Sequence, residues 1–188
     1  PFKVSDSVNA VFYHQEQIMV NEFVEPPIIP KIKSFVHLHP SRDLYDQYKK
    51  DLPEVEMKAF GAGCPDGLCN SVFNVYSQMQ DSSMIGHVKP RGDGFGHVWH
   101  SAYMIGRPII TNFSDYRGKL GGKLFKDGVT GIDLQKRSYN DNLATIRDLL
   151  GNRSLLVEMC RNSYDKFREV VDYEEEAQQL KEFFERLM

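Results

Sequence analysis

Residues 91–108 read "RGDGFGHVWHSAYMIGRP", packing four glycines, two histidines, an acid and a proline into eighteen positions. Gly94, Phe95 and Gly96 form a flexible turn, and the run behind them has helical spacing until Gly106 and Pro108 close it. Two readings are open. The turn is a strand-to-helix corner that needs glycine for its geometry, or it lets a phosphate-bearing ligand approach the backbone at a helix start. Both require a strand before it and a helix after it.

Working outward, "SSMIGHVKP" at 82–90 supplies the strand before the turn. A helix over 97–105 and "RPIIT" at 107–111 supply the rest of a βαβ unit. Upstream, "KSFVHL" at 33–38 is a short apolar run that reads as a buried strand. Ser41 can cap the helix "RDLYDQYKKDL", whose Leu44, Tyr48 and Leu52 recur at helical spacing before Pro53 stops it. "EVEMKAFG" at 54–61 alternates as a strand does, and Ser71 or Asn70 can start a helix through "VFNVYSQMQ". Downstream, "GVTGIDL" at 128–134 reads as a fifth strand. From Tyr139 the apolar spacing is helical almost to the end. Strands alternating with helices predict a Rossmann-like α/β fold, a parallel sheet with helices on both faces.

The first thirty residues read as an arm, with a strand at 10–13 and a linker stiffened by Pro26, Pro27 and Pro30. Residues 31–188 then form the domain. At 188 residues, 41% hydrophobic and with twelve phenylalanines, the chain can fill a real core. A net charge of −3 argues against a reader of nucleic-acid backbones. No stretch approaches eighteen apolar residues, so no membrane span is expected. Three cysteines, an odd number, fit a reducing compartment, so the expected location is cytoplasmic.

Ligands of such sheets bind at the carboxyl ends of strands, where glycine turns lead into helices. The amides of the first helical turn after Gly96 have no partners within the helix, and the helix dipole favours negative charge there. Along that helix Val98, Ala102 and Ile105 share the stripe expected to face the sheet. His97 and Ser101 share another, with His100 and Met104 alongside. A phosphate at the helix start would therefore meet His97, and a ribose further on would meet Ser101. A second glycine loop, "YRGKLGGKLFKDG" at 116–128, carries Lys119, Lys123 and Lys126 and reads equally as a solvated loop.

The run "DGFGHVWHSAYMIGRPIIT", then "DGVTGIDL", then a helical tail, resembles the carboxyl-terminal, donor-binding domain of GT-B glycosyltransferases of the group 1 kind. The resemblance extends over roughly 33–188 and keeps its spacing through two separated blocks. It implies transfer of a sugar from a nucleotide-diphosphate donor, which is a substrate, with no cofactor and no metal. The implied partners are that donor, a glycan or other acceptor, and an acceptor-binding domain preceding the linker. Asp93 matches the first of the family's paired acids and would orient the sugar. Gly94, Phe95 and Gly96 would admit the phosphates. Ser101 stands beyond Asp93 with seven residues between them, where the family's ribose-binding glutamate would be, and a hydroxyl cannot hold two ribose hydroxyls as a carboxylate does. This departure keeps two alternatives open: a glycosyltransferase-like module that has lost its donor, and a two-domain sugar-nucleotide epimerase. A second departure is length. Only about ten residues separate Gly61 from Ser71, where the family has room for another helix and strand. The sheet is trimmed there, or the loop with Cys64 and Cys69 replaces the unit.

Other side chains are placed by the same logic. His39, at the end of the first strand, and Arg42 beside it are expected at the cleft rim, Arg42 either on the donor phosphate or as ordinary surface charge. Lys89 and Arg91 flank Pro90 and would add positive charge where a diphosphate sits, or are likewise surface charge. Trp99 packs against neighbouring helices or stacks on a nucleobase. His37, His39, His97 and His100 with Cys64 and Cys69 do not make a metal signature, because Cys-x₄-Cys is looser than the usual pair and no second pair exists. Cys160 is expected in the core, and the acidic run at 174–176 at the start of the last helix.

Overall fold

The computed structural model describes residues 22–35, 42–89 and 96–187. Five strands, β1 (Lys31–Phe35), β2 (Glu56–Phe60), β3 (Met84–Gly86), β4 (Ile109–Thr111) and β5 (Gly131–Asp133), form one parallel sheet in the order β2-β1-β3-β4-β5. Helices α1 (Arg42–Asp51), α2 (Val72–Gln80) and α3 (His97–Met104) join the first four strands. Three more, α4 (Tyr139–Gly151), α5 (Arg153–Val170) and α6 (Tyr173–Glu185), close the chain. The α/β expectation holds, and the strand order reverses between β1 and β3.

The helix boundaries follow from caps. Ser71 accepts from the Asn74 N–H at 3.1 Å, which settles the start of α2. Ser138, Asn152 and Asp172 cap α4, α5 and α6 in the same way, so the continuous helical tail is broken at Asn152 and at Val171 and Asp172. Ser41, the expected cap of α1, and the strand expected at 10–13 lie outside the described residues, as do positions 36–38. Strands β3, β4 and β5 are shorter than the runs that signalled them. The fifth strand was expected from 128, but the amides of Val129 and Thr130 turn back to the Lys126 carbonyl at 3.0 and 2.8 Å, so pairing starts at Gly131.

Burial explains the sequence pattern strand by strand. In β3, Met84 enters the core shared with α1, α4 and α5, while Ile85 enters the opposite core built on α3; Ile110 and Ile109 of β4 divide the same way. These strands are apolar throughout because both faces are covered. In β2 only Met57 and Ala59 are buried, and Glu56, Lys58 and Phe60 stay half-buried. The alternation at 54–61 thus marks a strand covered on one face, and the helical cover expected on both faces stops there.

The short loop after β2 replaces a further strand. It folds back along the outer edge of β2, where Asp66 takes the place of a neighbour: its Oδ2 accepts from the Ala59 N–H at 2.8 Å, and its own N–H donates to the Ala59 carbonyl at 3.2 Å. The opposite edge is closed by Asp127, whose Oδ1 accepts from the Asp133 N–H at 2.8 Å and whose carboxylate binds Arg137 bidentately at 3.1 and 2.8 Å. Burial alone would raise the Asp127 carboxyl, but Arg137, the Asp133 amide and Lys136 outweigh it and hold it below the ordinary range. Each edge strand is thereby denied to a foreign strand.

Residues 22–30, expected as part of a linker, are a strap docked on the domain. Pro26, Pro27 and Pro30 have no N–H and offer only carbonyls, which suits arginine donors. Arg153 Nη1 donates to the Pro26 and Pro27 carbonyls at 2.6 and 2.9 Å, and the Val24 N–H reaches the Ile105 carbonyl at 3.2 Å. Arg107 is fully buried, with Nη1 on the Val24 carbonyl at 2.6 Å and Nη2 on those of Glu25 and Gln80 at 3.1 and 2.9 Å. Among the described residues no helix is long and apolar enough to cross a membrane.

Candidate functional site

Reversal of strand order leaves a crevice outside the carboxyl ends of the strands, because the helices that follow β1 and β3 pack on opposite faces of the sheet. A crevice of about 290 Å³ lies here, walled by Phe35 at the end of β1, Phe60 to Ala62 at the end of β2, His87 and Lys89 after β3, and Val75 and Val98 from α2 and α3. Leu68 and Cys69, from the loop that replaces the expected extra unit, complete its wall. Phe35 and Phe60 are register partners whose rings stack 5.6 Å apart at 23°, giving the crevice a flat aromatic end. No aspartate or glutamate is among the described walls, whereas Lys89 is exposed there. Burial pushes the Cys69 thiol up, with Lys33 pulling the other way. The crevice is apolar with a cationic lip.

Beside it α3 begins. Gly96 precedes the helix with φ 73° and, as glycine, has no side chain with which to cap it. The His100 N–H donates to the Gly96 carbonyl at 2.9 Å, so the first-turn amides of His97, Val98 and Trp99 fall outside the helical ladder. Gly96 is needed for packing as well: a Cβ there would stand 3.2 Å from the Gly121 Cα. The second glycine loop is thus packed against the turn, and its Gly121–Leu124 segment is a 3-10 helix.

The predicted residues divide into three groups. Asp93, Gly94, Phe95 and His39 lie outside the described residues. Lys89 lines the crevice, and His97, exposed, opens α3 with half-buried Ser101 one turn on. Arg42 is not on the crevice wall; it opens α1 on the surface, its Nε donating to Asp46 Oδ2 at 3.3 Å. The stripes expected on α3 need correction. Val98 packs on the core as expected but also lines the crevice, and His100 and Met104, expected alongside the His97–Ser101 stripe, are buried. The cause is that α5 and the 121–124 segment cover sides of α3 expected to be open. His100 serves packing, with Nδ1 3.1 Å from the Gly96 carbonyl and its ring edge-on to Phe167. Trp99 is fully buried with its ring 4.4 Å from that of Tyr116, so it packs and does not stack on a base.

Two features escaped the sequence. His87 is buried at the crevice floor, its ring 5.8 Å from that of Tyr116. Its signal was a polar residue inside the apolar run at 84–88. The "DGVTG" block that helped carry the resemblance is a brace: Thr130 Oγ1 accepts from the Lys126 N–H at 2.8 Å and from the Tyr103 hydroxyl at 3.2 Å. Burial pushes that tyrosine far above the ordinary phenol range, against the pull of Thr130.

No protein-family model matches the chain, and no curated protein matches it. Solved structures do. The chain superposes on HepE of Anabaena in complex with UDP-glucose at a TM-score of 0.65 and 15% identity, covering 83% of this chain and 48% of that one. Against TarM, a protein of S. aureus, the values are 0.66 and 16%, covering 94% and 38%. The C-terminal domain of LpcC, a glycosyl transferase group 1 family protein from Francisella tularensis, gives 0.53 and 13%, covering 74% of this chain and 85% of that domain. The chain therefore spans less than half the length of HepE and TarM but most of the length of the LpcC domain. At such identities the likeness is one of architecture: this chain has the fold of the carboxyl-terminal domain of GT-B glycosyltransferases.

Proposed function

We propose that the chain is the donor-binding half of a glycosyltransferase that transfers a sugar from a nucleotide diphosphate to an acceptor. One observation carries this reading: an apolar, aromatic-ended crevice adjoins the glycine-led start of α3 at the point where strand order reverses. The nucleoside lies in the crevice against Phe35 and Phe60. Its diphosphate extends toward the first-turn amides of α3, where the helix dipole and the Lys89 ammonium favour negative charge. Asp93 orients the sugar, with His97 toward the phosphates and Ser101 toward the ribose. Charge grows on the departing diphosphate as the glycosidic bond breaks, so fixed donors aimed at it act on the transition state. The acceptor and the other wall of the cleft come from a domain preceding the strap.

Calorimetry against a panel of nucleotide sugars tests this. Saturable heat with one donor, lost in Lys89→Glu with folding intact, is the expected result. No heat with any donor supports the second reading, a module that has kept the fold and lost the donor, which Ser101 in the glutamate position favours.

A further inference from the structure

We infer that the chain has a second ligand site, a small apolar pocket on the sheet face opposite the crevice. Its ligand is a short aliphatic group bearing one oxygen, which the Ser34 hydroxyl binds. The pocket, of about 60 Å³, lies between the strand ends and helices α1 and α4. Ile32, Ile110 and Ile146 wall it, and Leu44 and Tyr45 of α1 cover it. At its floor Ser34 of β1 and Gly86 of β3 are register partners, at the point where strand order reverses. Alternation turns the next residues, Phe35 and His87, to the crevice. Pocket and crevice therefore stand back to back on the same two strand ends.

Two observations mark a site rather than a gap in the packing. Ser34 is only 8% exposed, yet among the described residues its hydroxyl has no hydrogen-bond partner. A hydroxyl in apolar surroundings needs one, and here it must come from what enters the pocket. Water suits the place poorly, because a buried water makes about three hydrogen bonds. The Tyr45 hydroxyl is already given to the Met57 carbonyl at 3.1 Å, and the isoleucine and leucine walls offer no partner. Gly86 supplies the room: a Cβ there would stand 2.6 Å from Ser34 Oγ and close the floor. Although it sits in an inner strand, Gly86 is half-buried, as are Leu44 and Leu134, and these residues give the pocket its mouth. The volume admits roughly two to four water-sized groups, which fits the end of an aliphatic chain and is too small for a sugar or a base.

The test uses 1-butanol and its isostere pentane as probes, read by methyl NMR of isoleucine-labelled protein. 1-Butanol should shift the Ile32, Ile110 and Ile146 methyls saturably and leave Ile85 and Ile109, in the opposite core, unmoved. Ser34→Ala should weaken 1-butanol about three- to tenfold, the loss of one neutral hydrogen bond, while pentane stays within about twofold of the parent. Leu44→Phe, at the half-buried mouth, should block both probes. Melting curves close to the parent's show that each variant is folded. No saturable shift at the three named methyls, as when water alone fills the pocket, overturns the inference. So do shifts spread over all the isoleucines, or 1-butanol affinity unchanged in Ser34→Ala. Nucleotide sugars play no part in this test, so the pocket and the donor-site reading stand or fall separately.

Discussion

Arg107→Met removes a guanidinium that holds three parts of the fold together. Arg107 is fully buried with no carboxylate among its hydrogen-bond acceptors. Its charge is accommodated by carbonyl oxygens: Met79 and Gln80 at the end of α2, Ile105 and Gly106 just past α3, and Val24 and Glu25 of the strap. Two helix carboxyl ends thus turn the negative poles of their dipoles on one cation. Burial draws the Arg107 pKa below the ordinary arginine range, opposed by the Cys160 thiol beside it, yet a guanidinium keeps its proton inside a protein.

The magnitude follows from four of those contacts, which are 3.2 Å or shorter. A hydrogen bond to a charged group contributes roughly 1.5–3 kcal/mol net, but the four share one desolvated cation and do not add. Arg107→Met leaves no charge behind but strips the donor from these buried carbonyls, at roughly 1–3 kcal/mol for each left unsatisfied, so about 3–5 kcal/mol in all is expected, a large share of the roughly 5–15 kcal/mol that holds a domain folded. For a chain of this length that is a fall of roughly 6–20 °C in melting temperature. Urea unfolding gives the free energy, and hydrogen exchange at the Val24 amide, bonded to the Ile105 carbonyl, reports the strap itself. Arg107→Lys should lose about half as much, since an ammonium reaches at most about three acceptors and lacks the planar fork. A methionine variant within about 1 kcal/mol of the parent, with Val24 exchange unchanged, would show that the strap is held by packing alone.

Other expectations follow from the same contacts. Asp127→Asn should cost about 2 kcal/mol, by loss of the bidentate Arg137 pair at the β5 edge. Because the folded carboxyl titrates below its ordinary value, this difference is full above about pH 4 and vanishes as pH falls through the depressed folded value; a gap in urea midpoints that persisted at pH 2 would refute it. Gly96→Ala forces a Cβ into a left-handed turn and against Gly121, so it should lower stability by about 2 kcal/mol whatever the ligand, and an unchanged melting curve would remove the packing role. Burial raises the Cys160 thiol to about 11, whereas Cys64 and Cys69 are half-exposed. A thiol reagent should therefore titrate two cysteines in the native protein and the third only on unfolding, and three fast equivalents would contradict the buried position.

What could be read in advance was local. Strand and helix order came through because apolar spacing and punctuation by glycine and proline are properties of neighbours in sequence. Strand lengths came through poorly, since pairing ends where a partner ends. Thr130 and Val129 look like strand residues but are spent on a turn closed by Lys126. The Arg107 clamp had no local signature at all: "GRP" reads as a turn, and its acceptors come from three segments that only folding brings together. Asp66 and Asp127 were invisible for the same reason, each bonding a sheet edge from a segment that only folding brings there.

The candidate site was legible as a place and less so as a set of residues. The glycine turn marked the right end of the right strand, but glycine at 96 is required by the left-handed φ and by the approach of Gly121, ligand or no ligand. A glycine there cannot separate a corner from a binding turn, because both need it. On an eight-residue helix covered from several sides, stripes four apart also lose their meaning: Val98 proved to be a crevice residue and His100 a packing one. The discriminating evidence is charge at the crevice lip. Lys89 is exposed there, on a crevice whose described walls carry no aspartate or glutamate. An ammonium at the lip of an apolar crevice, beside first-turn amides that lie outside the helical ladder, is the arrangement an anionic ligand requires.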